Sequence, residues 1–146
     1  MKTLSIRQPW ASLIVAGLKD IENRTWETRF RGPLLIHAGK SRPSKDEIAS
    51  IEEEFDLSIN VDALPYGGII GACKVVDCVD THKSRWFFGD YGFVLADARA
   101  IDFVPCTGKL GLFNFELPQE LSKCPSVDVS VLFKSKLVQK FLPIIG

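Results

Sequence analysis

The sequence predicts an α+β fold, a small mixed β-barrel of five to six short strands decorated by helices. Short apolar runs rich in β-branched residues recur along the chain, separated by Gly and Pro punctuation. Other segments instead carry apolar residues at helical spacing. Strand and helix signals do not alternate regularly, which argues against a βαβ array. A length of 146 residues predicts a single domain over 1–146, and a chain this long buries a core without metal or disulfide staples.

Each element follows from its residues. TLSI (3–6) reads as a short strand. In RQPWASLIVAGLK, Pro9 suits the first turn of a helix. Trp10, Leu13, Ile14, Gly17 and Leu18 fall on one face at helical spacing. Gly17 and the charges after it end that helix near residue 18. Asp20 to Trp26 reads as extended, with Asp20, Glu22 and Arg24 facing one way and Ile21 and Asn23 the other. RGP (31–33) is a turn signal, and PLLIHAG (33–39) a buried strand carrying His37.

SRPSKDEIASIEEEF (41–55) is an amphipathic helix capped by Ser44, with Glu47 at the capping-box position and Ile48, Ile51 and Phe55 on one face. Residues 58–68 read as a loop, and GIIGACKVVDCV (68–79) as the strongest strand. DTHKSRWFFGDYG (80–92) is a polar and aromatic loop, and GFVLADARAID (92–102) a strand, a turn and a new strand. LFNFEL (112–117) and VDVSVLF (127–133) alternate like strands, and KSKLVQKFL (134–142) looks helical. There is no internal repeat, linker or low-complexity tract.

Formal net charge is zero, so no global field draws in nucleic acid or anionic lipid. Locally, residues 19–45 hold seven basic and three acidic side chains, a net +4 balanced by −4 elsewhere. A basic N-terminal third suits a polyanionic or phosphorylated partner as well as it suits a solvated face. The cysteines, Cys73, Cys78, Cys106 and Cys124, match no zinc or redox spacing. Without a signal-peptide pattern or a membrane-length apolar run, the expectation is a cytoplasmic protein whose thiols are reduced, without disulfides, and buried as small hydrophobes. P-loop, G-x-G-x-x-G, G-x-S-x-G and H-E-x-x-H patterns are all missing, and GKS (39–41) lacks the upstream glycine and the helix of a P-loop. Two histidines far apart do not make a His-rich metal site. No cofactor and no metal are therefore expected.

GLKDIENR (17–24) is the segment that offers chemistry. Lys19 sits where a helix runs out, and Glu22 and Arg24 share a face beyond it. A lysine of lowered pKa serves as base or nucleophile, a carboxylate moves a proton, and a guanidinium holds a phosphate or carbonyl oxygen in a fixed fork. The same residues also make a structural Glu–Arg pair beside a surface lysine. Around them, Gln8, Pro9 and Trp10 open the first helix, with Gln8 able to reach a base edge and Trp10 suited to core. Trp26 is able to stack on a base or to pack. The loop at 82–91 interleaves Lys83, Arg85, Trp86, Phe87, Phe88 and Tyr91, which suits single-stranded RNA or a loop packing its own aromatics. Lys109, in GKLG, lies in a turn whose backbone a phosphate can approach.

SIRQPWASLIVAGLKDIENR, RGPLLIHAG, GIIGACKVVDCV, WFFGDYGFVL and GKLGLF, in that order, resemble the ASCH-domain family, which has a PUA-like β-barrel. The family signature is G-x-K-x-x-x-x-R with an acid or threonine three residues after the lysine. Gly17, Lys19, Glu22 and Arg24 match it. The resemblance implies binding of RNA or a modified nucleoside in a cleft beside the signature, with His37 near Lys19. Some bacterial members are amidohydrolases that remove the acetyl group from acetylated cytidine with the signature lysine, a threonine three residues on, and a glutamate on a later strand. A further relative is a ribonuclease. Here Lys19 and Arg24 match, Glu22 replaces the threonine, and GACKVVDCV offers Asp77 where the later glutamate is expected. Three functions follow as expectations: binding of RNA or a nucleoside at Lys19, Glu22 and Arg24; hydrolysis on the same cleft, as an acetylated-cytidine amidohydrolase or a metal-independent ribonuclease; and protein–protein adaptation through the loop at 82–91.

Overall fold

A computed structural model describes residues 1–118 and, for the backbone alone, 133–135. Strand β1 (Lys2–Ile6) leads into helix α1 (Trp10–Val15), strand β2 (Ile21–Arg24) and strand β3 (Gly32–Ala38). Helix α2 (Lys45–Phe55), strand β4 (Leu57–Ile59) and a 3-10 turn (Val61–Ala63) follow. The long strands β5 (Gly68–Val79) and β6 (Tyr91–Pro105) precede the short β7 (Leu112–Asn114) and β8 (Phe133–Ser135).

Six strands form one curled half-barrel in the order β2-β6-β5-β3-β1-β7, and β4 pairs with β8 in a small second sheet. Pairing is antiparallel except between β1 and β3, which run parallel with Ser5 opposite His37. The mixed α+β barrel expected from the sequence is therefore the observed fold. No helix among the described residues is long and apolar enough to cross a membrane.

Curvature comes from β5 and β6, whose register slips at Ile69/Gly71, Ala72/Lys74 and Val75/Asp77. Such bulges bend a strand and increase its twist. Asp97 takes a positive φ of 53° at one of them. The turn expected inside GFVLADARAID is thus a bulge, and β6 continues through it because β5 supplies partners on both sides. Other boundaries shift for local reasons. Helix α1 stops at Val15, leaving Gly17 and Leu18 exposed. β2 is confined to residues 21–24 and β7 to 112–114, and the loop expected at 58–68 includes the end of β4 and the 3-10 turn. Lys134 and Ser135, expected to start a helix, lie in β8. The remainder of the strand and helix expected at 127–142 lies outside the described residues, as does Cys124.

The capping argument for α2 holds at its N-terminus, where the Glu47 N–H donates to Ser44 Oγ at 3.1 Å. Ile48, Ile51 and Phe55 are its buried face. They pack with Leu13, Ile21, Leu57, Ile59 and Trp86. A separate core, including Leu4, Ile14, Val15, Leu34, Ile36 and Phe93, fills the space between α1 and the sheet. Each such side chain contributes roughly 1.5–3 kcal/mol when fully buried. The two cores meet along α1, whose Leu13 faces one and Ile14 the other. That placement fixes the segment after α1, which carries the charged residues.

Candidate functional site

The end of α1 turns Lys19 inward. Gly17 adopts φ +80°, a left-handed conformation that glycine takes without a Cβ clash. The Gly17 N–H donates to Ile14 O at 2.9 Å and the Leu18 N–H to Leu13 O at 3.0 Å. This is a Schellman ending, which reverses the chain and satisfies the last carbonyls. The Lys19 N–H shares Leu13 O at 3.1 Å, and the Lys19 side chain is only 4% exposed.

β2 then presents its residues alternately. It pairs with β6 through Ile21↔Val94, Glu22↔Phe93, Asn23↔Gly92 and Arg24↔Tyr91. Glu22 and Arg24 meet, as the period of two requires, while Ile21 is buried in the α2-side core. Lys19 Nζ donates to Glu22 Oε1 at 3.0 Å and also to the Ile21 carbonyl. Arg24 Nε and Nη2 both donate to Glu22 Oε2, at 3.2 and 2.9 Å, and Nη2 donates to Ser5 O at 2.9 Å. A single carboxylate thus bridges two cations on the side of β2 that faces β1. Nearby, the Cys73 thiol is pushed up to about 12, first by burial and then by the negative charge of Glu22.

These residues open onto a cleft of about 470 Å³, within the range of small-molecule sites. Its lining includes Lys19, Glu22 and Arg24 together with Trp10, Trp26, Phe55 and Trp86. Phe55 and Trp86 stack with ring centres 3.9 Å apart, and Trp10 meets each edge-on at 6.4 Å. Trp26 stands edge-on to Phe93 at 5.2 Å. Lys19 Nζ lies 5.7 Å from the Trp10 ring centre. Arg7, Asn23, Thr25, Phe88, Gly89 and Asp90 also reach the lining.

The loop at 84–90 forms one rim, and β2 holds it there. Asn23 Nδ2 donates to Trp86 O at 2.8 Å, and the Phe88 N–H donates to Asn23 Oδ1 at 3.0 Å. Ser84 Oγ donates to Asp20 Oδ1 at 2.6 Å. Trp86 is buried by this docking, whereas Phe88 is 70% exposed.

Seven of the residues singled out from the sequence, Lys19, Glu22, Arg24, Trp10, Trp26, Trp86 and Phe88, therefore surround one hollow. Gln8, Pro9, His37, Arg85 and Lys109 do not line it. Gln8 is buried, its Oε1 accepting from the Ser12 N–H and its Nε2 donating to Ser12 Oγ and Pro65 O, so it caps α1. Pro9 is buried at the start of α1. The His37 ring nitrogens bond Ser5 Oγ at 2.8 Å and Cys106 O at 2.6 Å, within the sheet rather than beside Lys19. The Arg85 guanidinium lies over Trp86 and Phe55, at 4.9 and 5.4 Å. Lys109 is exposed. Asp77, at the place of the family's later glutamate, is exposed and pairs with Arg31 at 3.5 Å.

Sequence reading did not assign Phe55, Asn23, Arg7 or Asp90 to the site. Phe55 was legible only as the buried face of a helix; that the same ring backs a cleft depends on Trp86 arriving from the loop. Among the described residues, no group of three or more His, Cys, Asp or Glu side chains is placed to hold a metal ion. Cys73, Cys78 and Cys106 are free thiols, but only Cys73 is fully buried.

Fold and site together define a PUA-like half-barrel with an aromatic cleft floored by paired cations. The chain belongs to the ASCH domain family, whose sequence model matches residues 4–123. It is 35% identical over 92 residues to Activating signal cointegrator 1 of Homo sapiens, and 36% identical over 92 residues to the Mus musculus protein of that name. Each match covers 60% of this chain and 16% of the relative, so the chain corresponds to a small part of those proteins.

Proposed function

We propose that this domain binds RNA or a modified nucleoside, with a nucleobase in the cleft. The observation that carries the reading is the convergence of Lys19, Glu22 and Arg24 with Trp10, Trp26 and Trp86 on one hollow. Every base has a face to stack on an aromatic ring, and ribose phosphates are drawn to cations. Three basic and two acidic side chains line the cleft, a local net +1, and the surrounding 19–45 segment carries +4.

The geometry favours binding over hydrolysis. A general base needs a lone pair aimed at water or substrate. Both Glu22 oxygens already accept from Lys19 and Arg24, and Lys19 is held as a donor. The adaptor reading is weaker for the same kind of reason, because Phe88 is the only aromatic of the loop that stands well clear of the surface.

Fluorescence anisotropy with a short labelled single-stranded RNA tests the reading. Affinity is expected to fall as salt rises, with a log–log slope of about −0.7 per phosphate contacted. Trp26→Ala is expected to weaken binding by about 1–3 kcal/mol if the ring stacks on a base. Lack of binding to any RNA or nucleoside at about 50 mM salt overturns the proposal. Turnover of acetylated cytidine or of RNA that disappears in Lys19→Ala would replace it with hydrolysis.

A further inference from the structure

Hydrogen-bonding capacity in the cleft is lopsided. The Lys19 ammonium has three N–H groups, and two of them are taken by Ile21 O and Glu22 Oε1. The Arg24 guanidinium has five; Nε and Nη2 are engaged by Glu22 and Ser5, while Nη1 bonds nothing among the described residues. Among the described residues, no buried side-chain nitrogen or oxygen lacks a partner, so Arg24 Nη1, with no partner there, is open to solvent, and Arg24 lines the cleft.

Acceptors are scarce beside these donors. Glu22 Oε1 accepts from Lys19, and Oε2 accepts twice from Arg24. The Asn23 amide is occupied by the loop backbone through both its nitrogen and its oxygen. Asp90, the other carboxylate of the lining, is exposed. The wall beside Lys19 and Arg24 is therefore richer in donors than in acceptors, with Thr25 adding a hydroxyl that does either.

We infer that the cleft selects a ring whose inward edge carries carbonyl oxygens, as in uracil and hypoxanthine, over adenine. The inference rests on the nucleobase-binding reading above. Adenine places an exocyclic amine where hypoxanthine has a carbonyl, so at that position donor would face donor and a cleft N–H would lose water without gaining a partner, while the ring nitrogens of adenine still accept elsewhere on the edge. Cytosine, with one carbonyl and one amine, falls between. Stacking pulls the other way: the larger adenine ring covers an aromatic wall at least as well as uracil. A preference for uracil over adenine therefore has to arise from the edge.

The test uses short oligonucleotides with one base in an otherwise abasic backbone, so that phosphate charge is constant. Anisotropy should show hypoxanthine and uracil bound about tenfold or more tighter than adenine, the discrimination of a matched donor–acceptor edge. Arg24→Lys keeps the charge and loses the fork; it should shrink that gap severalfold. Free inosine and adenosine, followed by tryptophan quenching, form a second arm. The same order there assigns the selectivity to the base alone, and an order confined to the oligonucleotides assigns it to a base carried in a strand. Equal affinities across bases, or a preference for adenine, overturn the inference while leaving nucleic-acid binding in place. Lack of binding to every oligonucleotide and nucleoside overturns the binding reading itself. The wild-type comparison decides the matter even where the Arg24 variant does not fold.

Discussion

Two buried polar clusters sit on opposite sides of Ser5, and they differ in what they leave unfinished. The Ser5 hydroxyl bonds His37, while the Ser5 carbonyl accepts from Arg24. At His37 the ring is 2% exposed and both nitrogens are engaged. Cys106 O can only accept, so Nε2 carries the proton, and in the neutral ring Nδ1 accepts from the Ser5 hydroxyl. Gly108 closes over it: a Cβ there would lie 2.9 Å from the ring. The Lys19 cluster is almost as buried but keeps donors without partners and opens on a void. Burial of an ionisable group is thus common to both, and residual hydrogen-bonding capacity facing a cavity is what makes the Lys19 cluster, and not His37, the candidate site.

The sharpest way to break this comparison is to remove the shared carboxylate. Glu22→Ala leaves two cations at the cleft floor without their counter-charge. Breaking a buried pair in this way costs about 3 kcal/mol or more. For a domain of this size that lowers Tm by roughly 10 °C, read by circular dichroism. A melting point close to that of the wild type would mean that the carboxylate does not hold the cluster together.

His37→Ala should separate stability from binding. It deletes a packed ring and leaves Ser5 and Cys106 O without a partner, a loss of about 2–3 kcal/mol. RNA affinity should stay within about twofold, below 0.5 kcal/mol. A large loss of affinity in a folded variant would move His37 into the site and erase the contrast.

The contrast was only half legible in the sequence. Lys19, Glu22 and Arg24 could be grouped because a helix end and a period of two are local properties. The Ser44 cap of α2 was legible for the same reason. His37 could be placed on a buried strand, but its partners come from β1 and from Cys106, residues 32 and 69 positions away. Gln8 looked like a base reader because nothing local shows that Pro65 O and Ser12 occupy it. A turn is expected inside GFVLADARAID, where Ala and Asp are poor strand formers, and pairing with β5 overrides that preference. Where the physics is local the sequence discloses it, and where a partner arrives from across the sheet it does not.

Asn23→Ala sharpens the comparison at the rim. It removes the bonds to Trp86 O and the Phe88 N–H, together about 1–2 kcal/mol. The loop at 84–90 borders solvent, so the loss should be local. Hydrogen exchange at the Phe88 amide is expected to accelerate about tenfold while amides of β5 and β3 keep their protection. Acceleration throughout the sheet would show that the rim is part of the global fold rather than a separate clamp.

The smallest effect concerns Cys73, a buried thiol of β5 whose titration is tied to Glu22. Its pKa is pushed from 9.0 to about 12, chiefly by burial and secondarily by that carboxylate. The neutral thiol is therefore favoured in the fold. Its contribution to stability is complete below pH 9 and is lost as pH rises from 9 toward about 12, because the unfolded chain ionises first. Glu22→Gln keeps the side-chain shape and removes the charge, so the Cys73 pKa should fall, by less than about one unit because burial remains. Alkylation of Cys73 by iodoacetamide near pH 10, followed by peptide mass spectrometry, should then quicken by less than about tenfold. Cys106 is the internal control: burial raises its pKa and Lys109 opposes the shift, with Glu22 not among the causes. If Cys73 alone quickens, the charge of Glu22 acts on the thiol directly. If Cys106 quickens in step, the variant is opening as a whole, and Glu22 acts on Cys73 through stability rather than through its field.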